Sequence, residues 1–341
     1  MKKIIASLAF STITLASLLG TPSISAQEEI DKITMGFVPS RDPQEIVTAT
    51  EPLEQLLIDE LKELGFEVGE IDITVGTSYE AVGEGLVAGT IDVGFIPGGT
   101  YVLYDDGSEV LLTATRVGLS NDSDNPVDWN ENEPTEATDE QVTYYRALAI
   151  AGPSEKGKEL ADKINKGEEL SWEDLDSAKW TVMSPSSPAG YIYPALKLSD
   201  EYDKSIADLS NAVQSDSYLT AFSRLASGQV DILLTYADGR RDYAEQWESE
   251  LGAENDIWTD TDTLLITDAI FNDTVSVSKN SDTMTDELKE AVAEALINLT
   301  EDEKTREVIF NIYSHEGYEK ANDSDYDNER KAQELLLEAN N

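Results

Sequence analysis

The sequence predicts an α/β protein of two lobes with a cleft between them. Strand and helix signals alternate from Ile33 to Ile96, the pattern of a parallel sheet covered by helices. An acidic stretch over 120–141 breaks this alternation, which restarts at Ala147. One pattern also occurs twice. Leu86-Val87-Ala88-Gly89-Thr90-Ile91-Asp92-Val93 is echoed by Leu225-Ala226-Ser227-Gly228-Gln229-Val230-Asp231-Ile232. Each copy is a helix end, a glycine cap and an apolar-Asp-apolar entry into a strand. Such an echo suits any helix-to-strand junction, and it also suits two lobes of similar build.

Taken in order, the first 26 residues have the form of an export signal. Lys2 and Lys3 precede an apolar run from Ile4 to Leu19, and Ser23-Ile24-Ser25-Ala26 offers a small-x-small cleavage site. Ile33–Pro39 reads as the opening strand. The next helix is expected to be capped by Thr50, with Pro52 in its first turn and Gly65 at its end. Leu53, Leu56, Leu57, Leu61 and Leu64 share one face of it. Ile71–Val75 is a strand, a short helix runs from Ser78 to Gly89, and Ile91–Ile96 is a third strand closed by Pro97-Gly98-Gly99. Residues 120–141 carry eight acidic side chains and no Lys or Arg, and read as a surface loop with too little apolar area to pack. Beyond it, strands are expected at Ala147–Ala151, Lys179–Ser184, Val230–Tyr236 and Thr274–Ser278. Helices are expected from Gly190, up to Ser227 and from Thr285. The end of the chain, polar from Asn322 to Leu335, reads as a surface helix.

Composition narrows the function. The 341 residues include 69 acidic and 24 basic side chains, a net charge of −45. Loss of Lys2 and Lys3 with the signal makes it about −47. Such a surface repels nucleic acid and anionic lipid. There is no cysteine, hence no disulfide and no lipobox for acylation. A free exported protein is expected. The sole histidine, His315, gives no His/Cys metal site and reads as a surface or packing residue. No nucleophile elbow, dinucleotide fingerprint or phosphate-binding P-loop is present. These absences argue against an enzyme, and no cofactor or metal is expected.

Binding chemistry is concentrated in Ser184-Pro185-Ser186-Ser187-Pro188-Ala189-Gly190-Tyr191, between a strand and a helix. A helix N-terminus combines unpaired N–H groups with the positive end of the dipole and so attracts oxyanions, and the free N–H groups of Ala189, Gly190 and Tyr191 are expected to point into solvent or at an anion. The loop is equally readable as an ordinary serine cap. Thr77-Ser78-Tyr79 begins the earlier helix with similar chemistry.

These residues, with Gly89–Ile96, Tyr144-Tyr145, Pro194 and Gly228-Gln229-Val230-Asp231, resemble the phosphonate/phosphite/phosphate-binding proteins of ABC importers. The resemblance runs from about 33 to 320 and implies the type II periplasmic-binding fold, two α/β lobes joined by two crossover strands around an interlobe cleft. It implies an exported solute-binding component that passes a small anion or zwitterion to an ABC transporter permease, acting as a monomer. A sulfonate or another small organic anion is the alternative ligand. By resemblance, Ser184, Ser186, Ser187, Gly190 and Tyr191 would surround the oxyanion, with Tyr79 from the first lobe. Pro188 and Ala189 stand where the family has hydroxyls, Ile96 where it has a second tyrosine, and Tyr218 where it has a histidine. Asp238 and Asp273 stand where relatives receive an ammonium group, with solvated surface acids as the alternative; Arg240 and Arg241, which follow the strand carrying Asp231, read as a surface pair, or one of them reaches the cleft. The expected division is a signal peptide at 1–26, one lobe of 27–116 plus 281–341, an acidic insertion and crossover at 117–145, and a second lobe at 146–280.

Overall fold

The computed structural model describes residues 28–40, 43–185 and 187–339, with side chains described as far as Leu335. The expected signal peptide at 1–26 and the expected ligand residue Ser186 lie outside the described residues. The chain forms two α/β lobes, each built on its own sheet.

In the first lobe, Ile71–Val75, Ile33–Phe37 and Val93–Ile96 run parallel. Thr274–Ser278 then adds antiparallel to Val93–Ile96 and to Ser108–Leu119, and Gly317–Lys320 forms the far edge. The second sheet repeats the plan. Ala212–Gln214, Trp180–Val182 and Ile232–Tyr236 are parallel, followed by antiparallel Ala147–Ala151 and Asp262–Ile266. The strand Thr274–Ser278 was expected in the second lobe. It belongs to the first sheet, because Val275 and Val277 are fully buried against that core. Between the lobes, Tyr144–Tyr145 pairs antiparallel with Ile270–Phe271, so the two crossover segments are joined.

The repeated sequence pattern has a physical basis. Gly89 and Gly228 both end helices with positive φ, +70° and +67°, which glycine adopts without strain. Three residues on, Asp92 accepts the Thr34 N–H at 2.7 Å and the Ser281 hydroxyl. Asp231 accepts the Lys179 N–H at 2.8 Å and the Ser154 hydroxyl at 2.6 Å. Each buried aspartate thus ties its strand to the neighbouring parallel strand and to the serine just beyond the antiparallel one.

Other expectations are corrected. The first long helix spans Pro43–Glu63, so Pro43 takes the first-turn place assigned to Pro52. Thr50 does not cap it. Its hydroxyl donates to the Ile46 carbonyl at 2.9 Å within the helix. The acidic stretch is not a bare surface loop. Ala137–Val142 pairs with Ser108–Leu119. Trp129, 4% exposed, enters the second-lobe core beside Leu148, Ile150 and Phe222. One aromatic ring supplies the apolar area that the acidic composition lacks. The last helix, Asp327–Ala339, is not confined to the surface either. Ala332 is buried with Ala147, Ile192 and Ile270, the Tyr193 hydroxyl donates to Glu329 at 2.7 Å, and Arg330 binds Asp105 at 2.7 Å. This helix therefore touches both lobes. Among the described residues, no helix is long and apolar enough to cross a membrane.

Truncation of the anchoring ring tests whether the insertion is part of the core. Trp129→Ala should cost about 3–5 kcal/mol in urea unfolding, as for other buried large-to-small changes. A loss below about 0.5 kcal/mol, the level of surface substitutions, would show that the insertion is not anchored there.

Candidate functional site

A cleft of about 1140 Å³ separates the lobes. It lies at the carboxyl ends of the parallel strands, where open α/β sheets leave loops and helix N-termini free of the sheet. Tyr79 follows Ile71–Val75, Pro97–Thr100 follow Val93–Ile96, Ser187–Ala189 follow Trp180–Val182, and Tyr236–Asp242 end and follow Ile232–Tyr236. Tyr144, Tyr145, Ile270 and Phe271, the paired crossover segments, form the floor.

Of the expected ligand residues, Tyr79, Ser187, Tyr218, Asp238 and Asp273 border this cleft. Ser184, Gly190 and Tyr191 do not. The serine loop enters a single π-helical turn, Pro188–Ile192. The Ser187 hydroxyl accepts the Gly190 N–H at 3.1 Å, and the Ser187 carbonyl accepts the N–H groups of Tyr191 and Ile192. The expectation of free N–H groups at Ala189, Gly190 and Tyr191 is therefore corrected at two of the three: Ser187 caps Gly190 and Tyr191. Gly190 is needed for another reason, since a Cβ there would sit 2.3 Å from the Met183 side chain. Tyr191 packs toward the second-lobe core. What the loop shows the cleft is the Ser187 hydroxyl, on the same wall as Tyr218, whose phenol is raised in pKa by burial.

On the facing wall, Ser78 caps the helix Tyr79–Ala88 through the Ala81 N–H at 3.1 Å, as expected. Burial, reinforced by the Asp273 charge, pushes the Tyr79 phenol up, while a hydrogen bond with Ser40 opposes this. Asp273 faces His315, whose Nε2 lies 3.1 Å from Oδ2, with Arg116 4.0 Å away. Nδ1 of His315 lies 3.2 Å from the Tyr318 hydroxyl, and the ring is 2% exposed. Desolvation alone would raise the Asp273 carboxyl. The His315 hydrogen bond and the nearby positive charges outweigh it and hold the carboxyl below its usual range. The packing histidine thus stands directly behind a cleft carboxylate. Forty-two residues separate the two, so no local motif announces the contact.

Asp238 is corrected more strongly. It caps the helix Gly239–Ser249, and its side chain is 0% exposed. Both oxygens bind Arg240, at 2.9 and 2.7 Å, and Thr135 from the acidic insertion reaches Oδ2 at 3.2 Å. Arg240 in turn donates to the Trp129 carbonyl and lies 4.6 Å over the Trp258 ring. This carboxylate is already spent on a buried cation and does not face a ligand. Of the two arginines it is Arg241 that borders the cleft. Sequence reasoning also missed Arg116, Arg146, Tyr236, Asn272 and Glu329, which border it from segments without a motif. Among the described residues no cluster of three His, Cys, Asp or Glu is placed to hold a metal ion.

The geometry agrees with comparisons to known proteins. The family model described as ABC transporter, phosphonate, periplasmic substrate-binding protein matches residues 35–326. Similar solved structures include PhnD1 of Prochlorococcus marinus in complex with methylphosphonate, at 13% identity and TM-score 0.52, covering 90% of this chain and 98% of that one. XAC2383 of Xanthomonas citri bound to ATP aligns at 14% identity and TM-score 0.56, covering 89% and 95%. A binding protein component of an ABC phosphonate transporter from Pseudomonas aeruginosa aligns at 13% and 0.50, covering 89% and 86%. At these identities the structural similarity establishes the fold, the two-lobed type II architecture. No curated protein matches in sequence.

Two measurements test the electrostatics of the walls. Asp238→Asn strands a buried arginine charge and should cost about 3–5 kcal/mol in chemical denaturation; a cost under about 1 kcal/mol would refute the buried pair. For Asp273 the folded carboxyl is held low, so its contribution to stability is present above the ordinary carboxylate range and is lost as pH falls through the folded pKa. Asp273→Asn should therefore lose less stability than the unmodified protein between about pH 6 and about pH 3. Equal losses in urea titrations across that interval would overturn this.

Proposed function

The chain belongs to the periplasmic substrate-binding proteins of ABC phosphonate transporters, and we propose that it is the exported ligand-collecting component of such an importer, taking a phosphonate, phosphite or phosphate-like anion. Members of this family bind small ligands and deliver them to permease partners. The observation that carries the ligand reading is the pairing across one cleft of a hydroxyl-bearing loop, Ser187 with Tyr218, and a phenol at a capped helix start, Tyr79.

In this reading the oxyanion meets Ser187 and Tyr218 on one wall and Tyr79 on the other. Asp273, oriented by His315, is the carboxylate left to meet a ligand amine, since Asp238 is bound to Arg240. The lobes close about the paired crossover segments, and the closed monomer docks on the permease. The cleft binds and releases its ligand without chemical change.

Titration calorimetry with methylphosphonate, phosphate, phosphite and 2-aminoethylphosphonate tests the proposal. At least one should bind, and Ser187→Ala should weaken it by about 1–2 kcal/mol, the worth of a hydrogen bond to a charged group. Binding of none of them by the folded protein would overturn the ligand class. Unchanged affinity in Ser187→Ala would reduce the serine to a helix cap.

A further inference from the structure

The described residues of the serine loop bring no formal positive charge to a doubly charged ion. Pro188 has no N–H, Ala189 has no hydroxyl, and the N–H groups of Gly190, Tyr191 and Ile192 are consumed by Ser187. Among the described residues, the side-chain donors that border the cleft from these walls are the neutral groups of Ser187, Tyr218 and Tyr79, in a chain of net charge −45. A dianion entering such a field needs a formal positive charge close by.

Among the described residues, three arginines border the cleft. Arg146 donates to Asp122 at 2.9 Å, and Arg116 approaches Asp273 at 4.0 Å. Arg241 has no carboxylate within ion-pairing distance among the described residues. Its backbone is fixed in the first turn of the helix Gly239–Ser249 by a bond to the Asp238 carbonyl at 3.1 Å, while its side chain is exposed. The carboxylates beside it are engaged: Asp238 binds Arg240, and Asp242 accepts the Tyr236 hydroxyl at 2.5 Å. The guanidinium is thus available on the same wall as Ser187 and Tyr218.

We propose that Arg241 reads ligand charge in the cleft, selecting doubly charged phosphonates and phosphates over singly charged oxyanions of the same shape, sulfonates above all. This rests on the reading of the cleft as an oxyanion site. A guanidinium presents a planar fork of N–H groups to two oxygens of a tetrahedral ion, and its charge-assisted bonds strengthen with the charge they meet. Hydroxyls and phenols recognise the tetrahedron; Arg241 distinguishes its charge.

The test is calorimetric titration in mildly alkaline buffer, where methylphosphonate is doubly and methanesulfonate singly charged. The unmodified protein should bind methylphosphonate about 10- to 100-fold more tightly than methanesulfonate, the range of one charge-assisted bond. Arg241→Gln should lose most of that preference by weakening methylphosphonate alone, while Arg241→Lys, which keeps the charge without the fork, should retain part of it. Ser187→Ala should weaken both ligands. Equal affinities in the unmodified protein, or a preference left intact in Arg241→Gln, would overturn the role of Arg241 while leaving the oxyanion site standing. If neither ligand binds the folded protein, the oxyanion reading falls and the arginine proposal with it.

Discussion

Two buried aspartates hold the architecture in place. Asp92 and Asp231 sit at the amino ends of corresponding strands, and each accepts one backbone N–H and one serine hydroxyl from neighbouring elements. A carboxylate that accepts from two neighbouring elements at once fixes the stagger between strands that share no hairpin. With the amino ends pinned, the carboxyl ends of the same strands project at defined heights into the space between the lobes. Ser187 and Arg241 stand on segments that leave those ends, and Tyr79 follows Ile71–Val75, the parallel neighbour of the tied strand Ile33–Phe37. The ligand cleft is thus set at its far side by two side chains that never approach it.

Much of this was legible in the sequence, because strand alternation, glycine caps and hydroxyl N-caps act through neighbours a few residues apart. Ser78 caps Tyr79–Ala88 and Thr285 caps Asp286–Asn298, as residue type and apolar periodicity indicated. What escaped was decided at long range. Whether Asp238 faces a ligand depends on Arg240 being folded back onto it beneath Trp258. Whether the Gly190 N–H is free depends on the π turn that returns it to Ser187. The placement of Thr274–Ser278 in the first sheet depends on partners at Val93–Ile96 and Ser108–Leu119, about 160 to 180 residues away, and the strand pattern is the same in either sheet. Pro52 misled for a simpler reason: proline favours a first turn, but here it lies inside a 21-residue helix that begins at Pro43.

The charge of the molecule and the charge of its cleft solve different problems. Across the surface, a large acidic excess keeps the chain hydrated and apart from its copies. Within the cleft, four of the carboxylates are individually restrained: Asp122 by Arg146, Asp238 by Arg240, Asp242 by Tyr236 and Asp273 by His315. A fixed carboxylate cannot swing toward a bound anion. Its repulsion therefore stays constant, and local donors can offset it. In this way a strongly acidic protein could hold the proposed oxyanion site without becoming basic anywhere.

The connectivity of the two sheets also orders events in time. The second sheet uses only residues 147–266, a continuous segment. The first sheet needs Ile33–Phe37 from one end of the chain and Gly317–Lys320 from the other. A chain delivered from its amino terminus can complete the inner lobe while the outer one waits for its last strands. Domains fold as units, and long-range pairings form late. Until Thr274–Ser278 arrives, Val93–Ile96 and Ser108–Leu119 both have an unpaired edge. Unpaired strand edges are open to pairing with other chains, and these two stay open until the residues up to Ser278 have emerged.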